Sequence, residues 1–147
     1  MYPPSAQNPE FSERSLLGQM AAIDANIRGR TASYNPASIS VKRDNEALIR
    51  FLSEEVSALL LLVPEASRLA KLGRWKAAEM LGGMLRDLQS ATQVYVSAYR
   101  KILEEEAKRL GYWTQVNKEN YEYWDKWDKE FARRIDACFD GVRIVIV

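Results

Sequence analysis

The residues in this chain with the clearest chemical capacity are its cations. Arg68, Lys71, Arg74 and Lys76 fall within nine positions, with Gly73 and Trp75 among them and Arg86 further on. That spacing sets positive charge around a helix–glycine–helix corner. Such a corner also offers unpaired backbone N–H groups at a helix start, and the combination suits phosphates. A second set, Arg14, Arg28, Arg30, Lys42 and Arg43, lies in the first 43 residues. Cations at helical spacing also make an ordinary solvated face, so spacing alone leaves both readings standing. The net charge of +1 over 147 residues does not decide between them. The distribution does more: residues 1–43 carry five basic against three acidic side chains and residues 64–112 nine against six, whereas residues 44–63 carry one against four.

Other chemistry is poorly provided for. The chain has no histidine and a single cysteine, Cys138. The usual zinc, copper and iron sites thereby lose their commonest ligand, the common triads lose their base, and an internal disulfide is excluded. Glu104, Glu105 and Glu106 are consecutive, so on a helix they point in different directions. Asp125 and Asp128 share a face but alternate with Lys126 and Lys129, the pattern of surface ion pairing. No glycine-rich phosphate loop is present. The expectation is a chain that is not an enzyme and carries no cofactor. Four Trp and seven Tyr allow a stacking platform for bases, but Trp124 and Trp127 continue into Phe131 and Ile135 as one stripe, which reads as core.

These residues must be positioned by helices. The central element is Arg74 to Gly111, where Leu81, Leu85, Leu88, Thr92, Tyr95, Tyr99 and Ile102 recur in steps of three and four. A bend or break is expected at Gly82-Gly83. Upstream, residues 1–11 hold three of the five prolines and read as an extended arm. Ser12 is expected to cap a short helix carrying Leu16, Met20, Ile23 and Ile27, which Gly29 closes. Arg28-Gly29-Arg30 and the segment that follows, as far as Arg43, lack helical period and read either as a functional extended connection or as a linker. Asp44 or Asn45 should cap the next helix, with Leu48, Phe51, Leu52, Val56, Leu59 and Val63 as its stripe. Pro64 then opens a short helix ending near Gly73. Thr114 or Asn117 caps the last one, with Trp124, Trp127, Phe131, Ile135 and Cys138 inward and Gly141 at its end. The tail, Val142 to Val147, has high β-propensity and reads as a short strand needing a partner edge, either residues 38–42 or another subunit.

The fold expected is therefore all-α: an N-terminal arm with a short helix over residues 1–43, then a helical bundle over 44–147. No signal peptide is visible at the start, and Ala58 to Val63 is too short to span a bilayer.

The order of parts, and above all the stretch ASRLAKLGRWKAAEMLGGMLRDLQSATQVYVSAY from Ala66 to Tyr99 with its YVSAY run, resembles the major capsid proteins of filamentous archaeal viruses of the rudivirus, lipothrixvirus and tristromavirus type. The likeness covers about a quarter of the chain. It implies that the arm and its helix wrap double-stranded DNA held in A-form, while the bundle faces outward and packs against neighbouring subunits in a helical filament. It also implies a homodimer or a heterodimer with a paralogous coat protein, in a virion assembled in the host cytoplasm; an envelope outside the coat is left open. The charged, Trp-rich last helix and the β-like tail depart from that pattern. On this reading Arg14, Arg28, Arg30, Lys42, Arg43, Arg68, Lys71, Arg74 and Lys76 contact phosphate without reading sequence. The competing reading is a non-catalytic helical small subunit of a CRISPR-type ribonucleoprotein complex. A small enzyme without histidine would instead need a pocket of convergent charged groups.

Overall fold

The computed structural model describes residues 8–32 and 41–146, with side chains described as far as residue 137. All of the regular structure in it is helical: α1 (Pro9–Ala32), α2 (Lys42–Leu60), α3 (Val63–Lys71), α4 (Lys76–Leu110) and α5 (Gln115–Ile146). The fold is the all-α bundle that the 3.6-residue periodicity requires. α4 is its centre and meets each of the other four helices.

α1 begins earlier and ends later than the sequence suggests. The Asn8 side-chain oxygen accepts the N–H groups of Glu10 at 3.0 Å and Phe11 at 3.3 Å, so Asn8 is the cap and Pro9 the first helical residue. Proline suits that position because its missing N–H would be unpaired there anyway. Ser12, expected as the cap, is buried within the helix, and Gly29, expected as the stop, lies inside it. Leu16 and Met20, 2% and 0% exposed, enter the same core as Leu48, Leu52, Leu69 and Leu85, with Leu17, Ile23 and Ile27 packed against it. Residues 9–32 of the expected arm are thus a helix docked on the bundle. Residues 1–7 and 33–40 lie outside the described residues.

α2 starts at Lys42 after Val41 in extended backbone (φ −91°, ψ 115°), with no side-chain cap. Asp44 and Asn45, the expected caps, sit in the first turn instead, and the Asn45 N–H donates to the Val41 carbonyl at 2.9 Å. The stripe is close to expectation: Leu48, Leu52, Val56 and Leu59 are buried, joined by Ile49 and Leu60, while Phe51 is half-buried. Pro64 stands in the first turn of α3, as proline should.

α4 runs for 35 residues without a break. The two glycines cost the helix about 1 kcal/mol each relative to alanine, and the burial of Leu81, Leu85 and Leu88 on either side of and beyond them offsets that. In its C-terminal half the buried positions are Val96, Tyr99 and Leu103 rather than Tyr95 and Ile102. A second, smaller core forms there from Ile49, Val96, Tyr99, Leu103 and Trp124.

Gly111 closes α4 in left-handed backbone (φ 83°), its N–H donating to Ala107 O at 2.8 Å. Thr114 caps α5, its hydroxyl accepting the Asn117 N–H at 3.2 Å. Trp124, Phe131 and Ile135 are buried and Trp127 half-buried, so the aromatic stripe is core; Cys138 lies beyond the described side chains. The expected stop at Gly141 and the strand expected over Val142 to Val147 are corrected for residues 142–146, because α5 continues as far as Ile146; Val147 lies outside the described residues. An established helix gains a hydrogen bond for each residue added, no proline interrupts it, and the β-propensity of Val and Ile is weak where no strand edge is offered. Of the in-chain edge considered, residues 38–40 lie outside the described residues and Lys42 opens α2.

Candidate nucleic-acid interface

The α3–α4 corner is built by one glycine. Gly73 adopts φ 86°, its N–H donates to Ala70 O and the Arg74 N–H donates to Leu69 O, both at 2.9 Å. This is the paired closure that ends a helix on a left-handed residue. Two residues later α4 begins from Trp75, with no side chain capping it. Its first-turn N–H groups therefore have neither an intrahelical acceptor nor a side-chain cap, and the positive end of a 35-residue helix is presented at the corner.

The four corner cations are not equivalent. Lys71 and Lys76 are exposed and form no ion pair or hydrogen bond among the described residues. Arg68 is exposed but held by Glu65, with Nε to Oε2 at 3.0 Å and a second nitrogen to Oε1 at 2.6 Å. That fork keeps the Glu65 carboxyl below its usual range, mainly through the hydrogen bond. Arg74 is half-buried and reaches across to Glu13 on α1 at 3.4 Å. This bridge brings the N-terminal half of α1 to the corner, and Arg14, beside Glu13, adds a further exposed cation in a 3.6 Å pair with Glu10.

The remaining cations lie elsewhere. Arg28 pairs with Asp24 at 2.7 Å, and the guanidinium of Arg30 sits 5.3 Å over the ring of Phe51. They stand about 20 Å along α1 from Arg14 at 1.5 Å per residue. Lys42 is drawn into the fold: its ammonium donates to Glu106 Oε2 at 3.1 Å and to the buried Asn117 Oδ1 at 2.8 Å, tying the start of α2 to the α4–α5 turn. Arg43 is exposed beside it, without an ion pair among the described residues. The structure thus brings Arg14, Arg68, Lys71, Arg74 and Lys76 to one end of the molecule and leaves Arg28, Arg30, Lys42 and Arg43 away from it.

Glu13 goes unmarked in the sequence, and Phe51, Glu106 and Asn117 stand out there as a stripe residue, a surface carboxylate and a candidate cap, not as partners of these cations. Glu13 lies 61 residues from Arg74, and Glu106 and Asn117 lie 64 and 75 from Lys42. A periodicity argument works within one helix and has no reach over such separations.

The triple glutamate is divided as neighbours on a helix must be. Glu104 accepts the Tyr121 hydroxyl at 2.7 Å, and Glu106 takes Lys42. Asp125 binds Arg100 and Lys129, and the Lys129 hydrogen bond, chiefly, holds its carboxyl below the usual range. Asp128 is pushed up, first by burial and then by Asp125. Among the described residues no group of carboxylates and cysteine is arranged to hold a metal ion, and no helix is long and apolar enough to cross a membrane. No family model, curated protein or solved structure matches the chain.

Proposed function

We propose that this chain is a non-catalytic structural protein that coats linear double-stranded DNA, in the A-form that the resemblance implies, within a helical filamentous virion. The observation that carries the proposal is the α3–α4 corner. There two exposed lysines, without an ion pair or hydrogen bond among the described residues, flank the uncapped start of α4, and Arg68, Arg74 and Arg14 stand beside them. Phosphate oxygens can replace the Glu65 and Glu10 carboxylates on Arg68 and Arg14, because surface pairs of this kind are worth about 1 kcal/mol or less. Phosphate binding of this type is blind to base sequence, as a coat requires. A modest net charge is compatible with the role, since many copies share the phosphates of one duplex. Neighbouring subunits, and pairing as a homodimer or as a heterodimer with a paralogous coat protein, belong to the same proposal.

The docking of α1 gives weight to a second reading. Met20 is fully buried in the isolated chain, so α1 supports wrapping less well as a free arm than as a fixed face of the bundle. A compact helical bundle with cations gathered at one end also suits a helical small subunit of a CRISPR-type ribonucleoprotein complex. Electron microscopy of the purified protein with and without linear duplex DNA separates the two. Filaments of uniform diameter that require DNA are expected. Particles that form only with RNA would transfer the proposal to the second reading.

A further inference from the structure

A pocket of about 460 Å³ opens at the end of α4 remote from the corner, about 50 Å away along that 35-residue helix. Glu104, Ala107, Lys108, Gly111, Tyr112 and Trp113 line it. The first four are spaced by three and four from one another, so they share one face of the helix. Ala107 and Gly111, the smallest, leave the floor open. Tyr112 and Trp113 are exposed, at 62% and 41%. The frame is fixed: Gly111 and Thr114 close the two helices, and the Trp113 ring stands at 69° to that of Tyr121 with centroids 5.2 Å apart. Glu104 and Lys108 are in the order that favours an ion pair on a helix, yet the carboxylate is turned to Tyr121. The Tyr121 hydroxyl donates to Glu104 Oε1 at 2.7 Å and accepts from Arg100 at 2.9 Å, and Asp125 anchors Arg100 at 3.2 Å. Glu104 Oε2, an acceptor, and the Lys108 ammonium, a donor, therefore stand on the pocket with no hydrogen-bond or ion-pair partner among the described residues.

We propose that this pocket binds an uncharged sugar, with a pyranose ring seated against Tyr112 and Trp113 and its hydroxyls shared between Glu104 and Lys108. The lining selects this class by charge. An anion would meet Glu104, a cation would meet Lys108, and a wholly apolar ligand would strip water from both without replacing the lost hydrogen bonds. A pyranose answers each group: its hydroxyls donate to the carboxylate and accept from the ammonium, and the C–H groups of its ring lie against the electron-rich face of an aromatic side chain. The volume falls within the ~300–1,000 Å³ of small-molecule sites, and the open side leaves the remaining hydroxyls in water. Neither the site nor its ligand depends on phosphate binding at the corner, because the two stand at opposite ends of α4.

The test uses the full chain without nucleic acid, labelled with nitrogen-15, and follows the Gly111 amide and the Trp113 indole N–H by NMR. The probes are the methyl pyranosides of glucose, galactose, mannose and N-acetylglucosamine, with sorbitol, glucuronate and choline as controls. At least one pyranoside should shift both signals saturably, with the millimolar affinity of a small ligand left largely in water. Sorbitol has the hydroxyls but no ring face and should not. Trp113→Ala and Glu104→Ala, the first followed at Gly111, should each weaken binding about tenfold or more, as loss of a central contact does. Trp113→Phe, which keeps an aromatic face, should recover most of it. Circular dichroism checks the fold, and Tyr112→Ser replaces Trp113→Ala if that variant unfolds. Four results overturn the proposal: no saturable shift with any of the four pyranosides, equal shifts with sorbitol, saturation by choline or glucuronate in their place, or pyranoside binding that survives both alanine variants. Choline saturation would assign the pocket to an alkylated ammonium instead. Failure of DNA binding would leave every one of these outcomes unchanged.

Discussion

Lys42 shows how a cation that reads as a phosphate ligand can be taken up by the fold. It is bound to Glu106 and Asn117, and its hydrogen bond is the main cause holding the Glu106 carboxyl below its usual range. Lys42→Met should destabilise the protein by about 1 kcal/mol, the value of a charged hydrogen bond discounted for partial exposure. A carboxyl with a lowered folded-state pKa contributes stability above its unfolded value, and loses it as pH falls through the folded one. The gap between wild type and variant should therefore close below pH 4.5, the ordinary value for that group, which thermal melts across pH would show. Asp128 has the opposite sign. Burial and Asp125 raise it above the ordinary 3.8, so its ionisation opposes folding once pH rises past that value. Asp128→Asn should raise Tm at pH 7, and the gain should vanish toward pH 3. A gain that persists in acid would assign it to something other than charge.

At the scale of elements, α1 and α4 carry the sharpest expectations. Met20→Ala should cost about 2–5 kcal/mol, the usual range for truncating a buried methionine, and chemical denaturation would read it directly. In hydrogen exchange the amides around Leu16 to Met20 should be protected nearly as well as those around Leu85. Fast exchange there would restore α1 as a detached arm. Gly83 has open space around a built Cβ and ordinary helical backbone, so Gly83→Ala should stabilise α4 by up to about 1 kcal/mol. Gly111→Ala, at φ 83°, should cost roughly 1–2 kcal/mol. A Tm that moved the same way for both would sink this distinction.

The stripes behind these elements were legible because each depends on spacing within one segment. Leu48, Leu52, Leu81, Leu85, Trp124 and Phe131 fall inward as their period requires. The ends were less legible, because termini rest on single side chains: Asn8 rather than Ser12 starts α1, and neither Gly29 nor Gly141 stops its helix. Propensity was also overridden at Gly82-Gly83, and in the Val- and Ile-rich tail, which continues α5.

For the whole molecule, the corner cluster was visible in the sequence as Arg68, Lys71, Arg74 and Lys76, since all four lie within one turn–corner–turn. Its extension through Glu13 to Arg14 was not, because only packing of α1 onto α3 and α4 creates it. Packing likewise separates Arg28, Arg30, Lys42 and Arg43 from that end. If phosphates bind at the corner, the two groups of cations must differ in their effect on binding. The most direct measurement is the affinity for linear duplex DNA as a function of salt, for the wild-type chain, for Lys71→Ala with Lys76→Ala, and for Arg28→Ala with Arg30→Ala. The corner variant should lower the slope of log affinity against log salt by about 0.9 for each phosphate no longer neutralised, hence about 1.8 for two, similarly on any DNA sequence. The Arg28 and Arg30 variant should change it less. An unchanged slope for the corner variant would contradict phosphate binding at the α3–α4 corner.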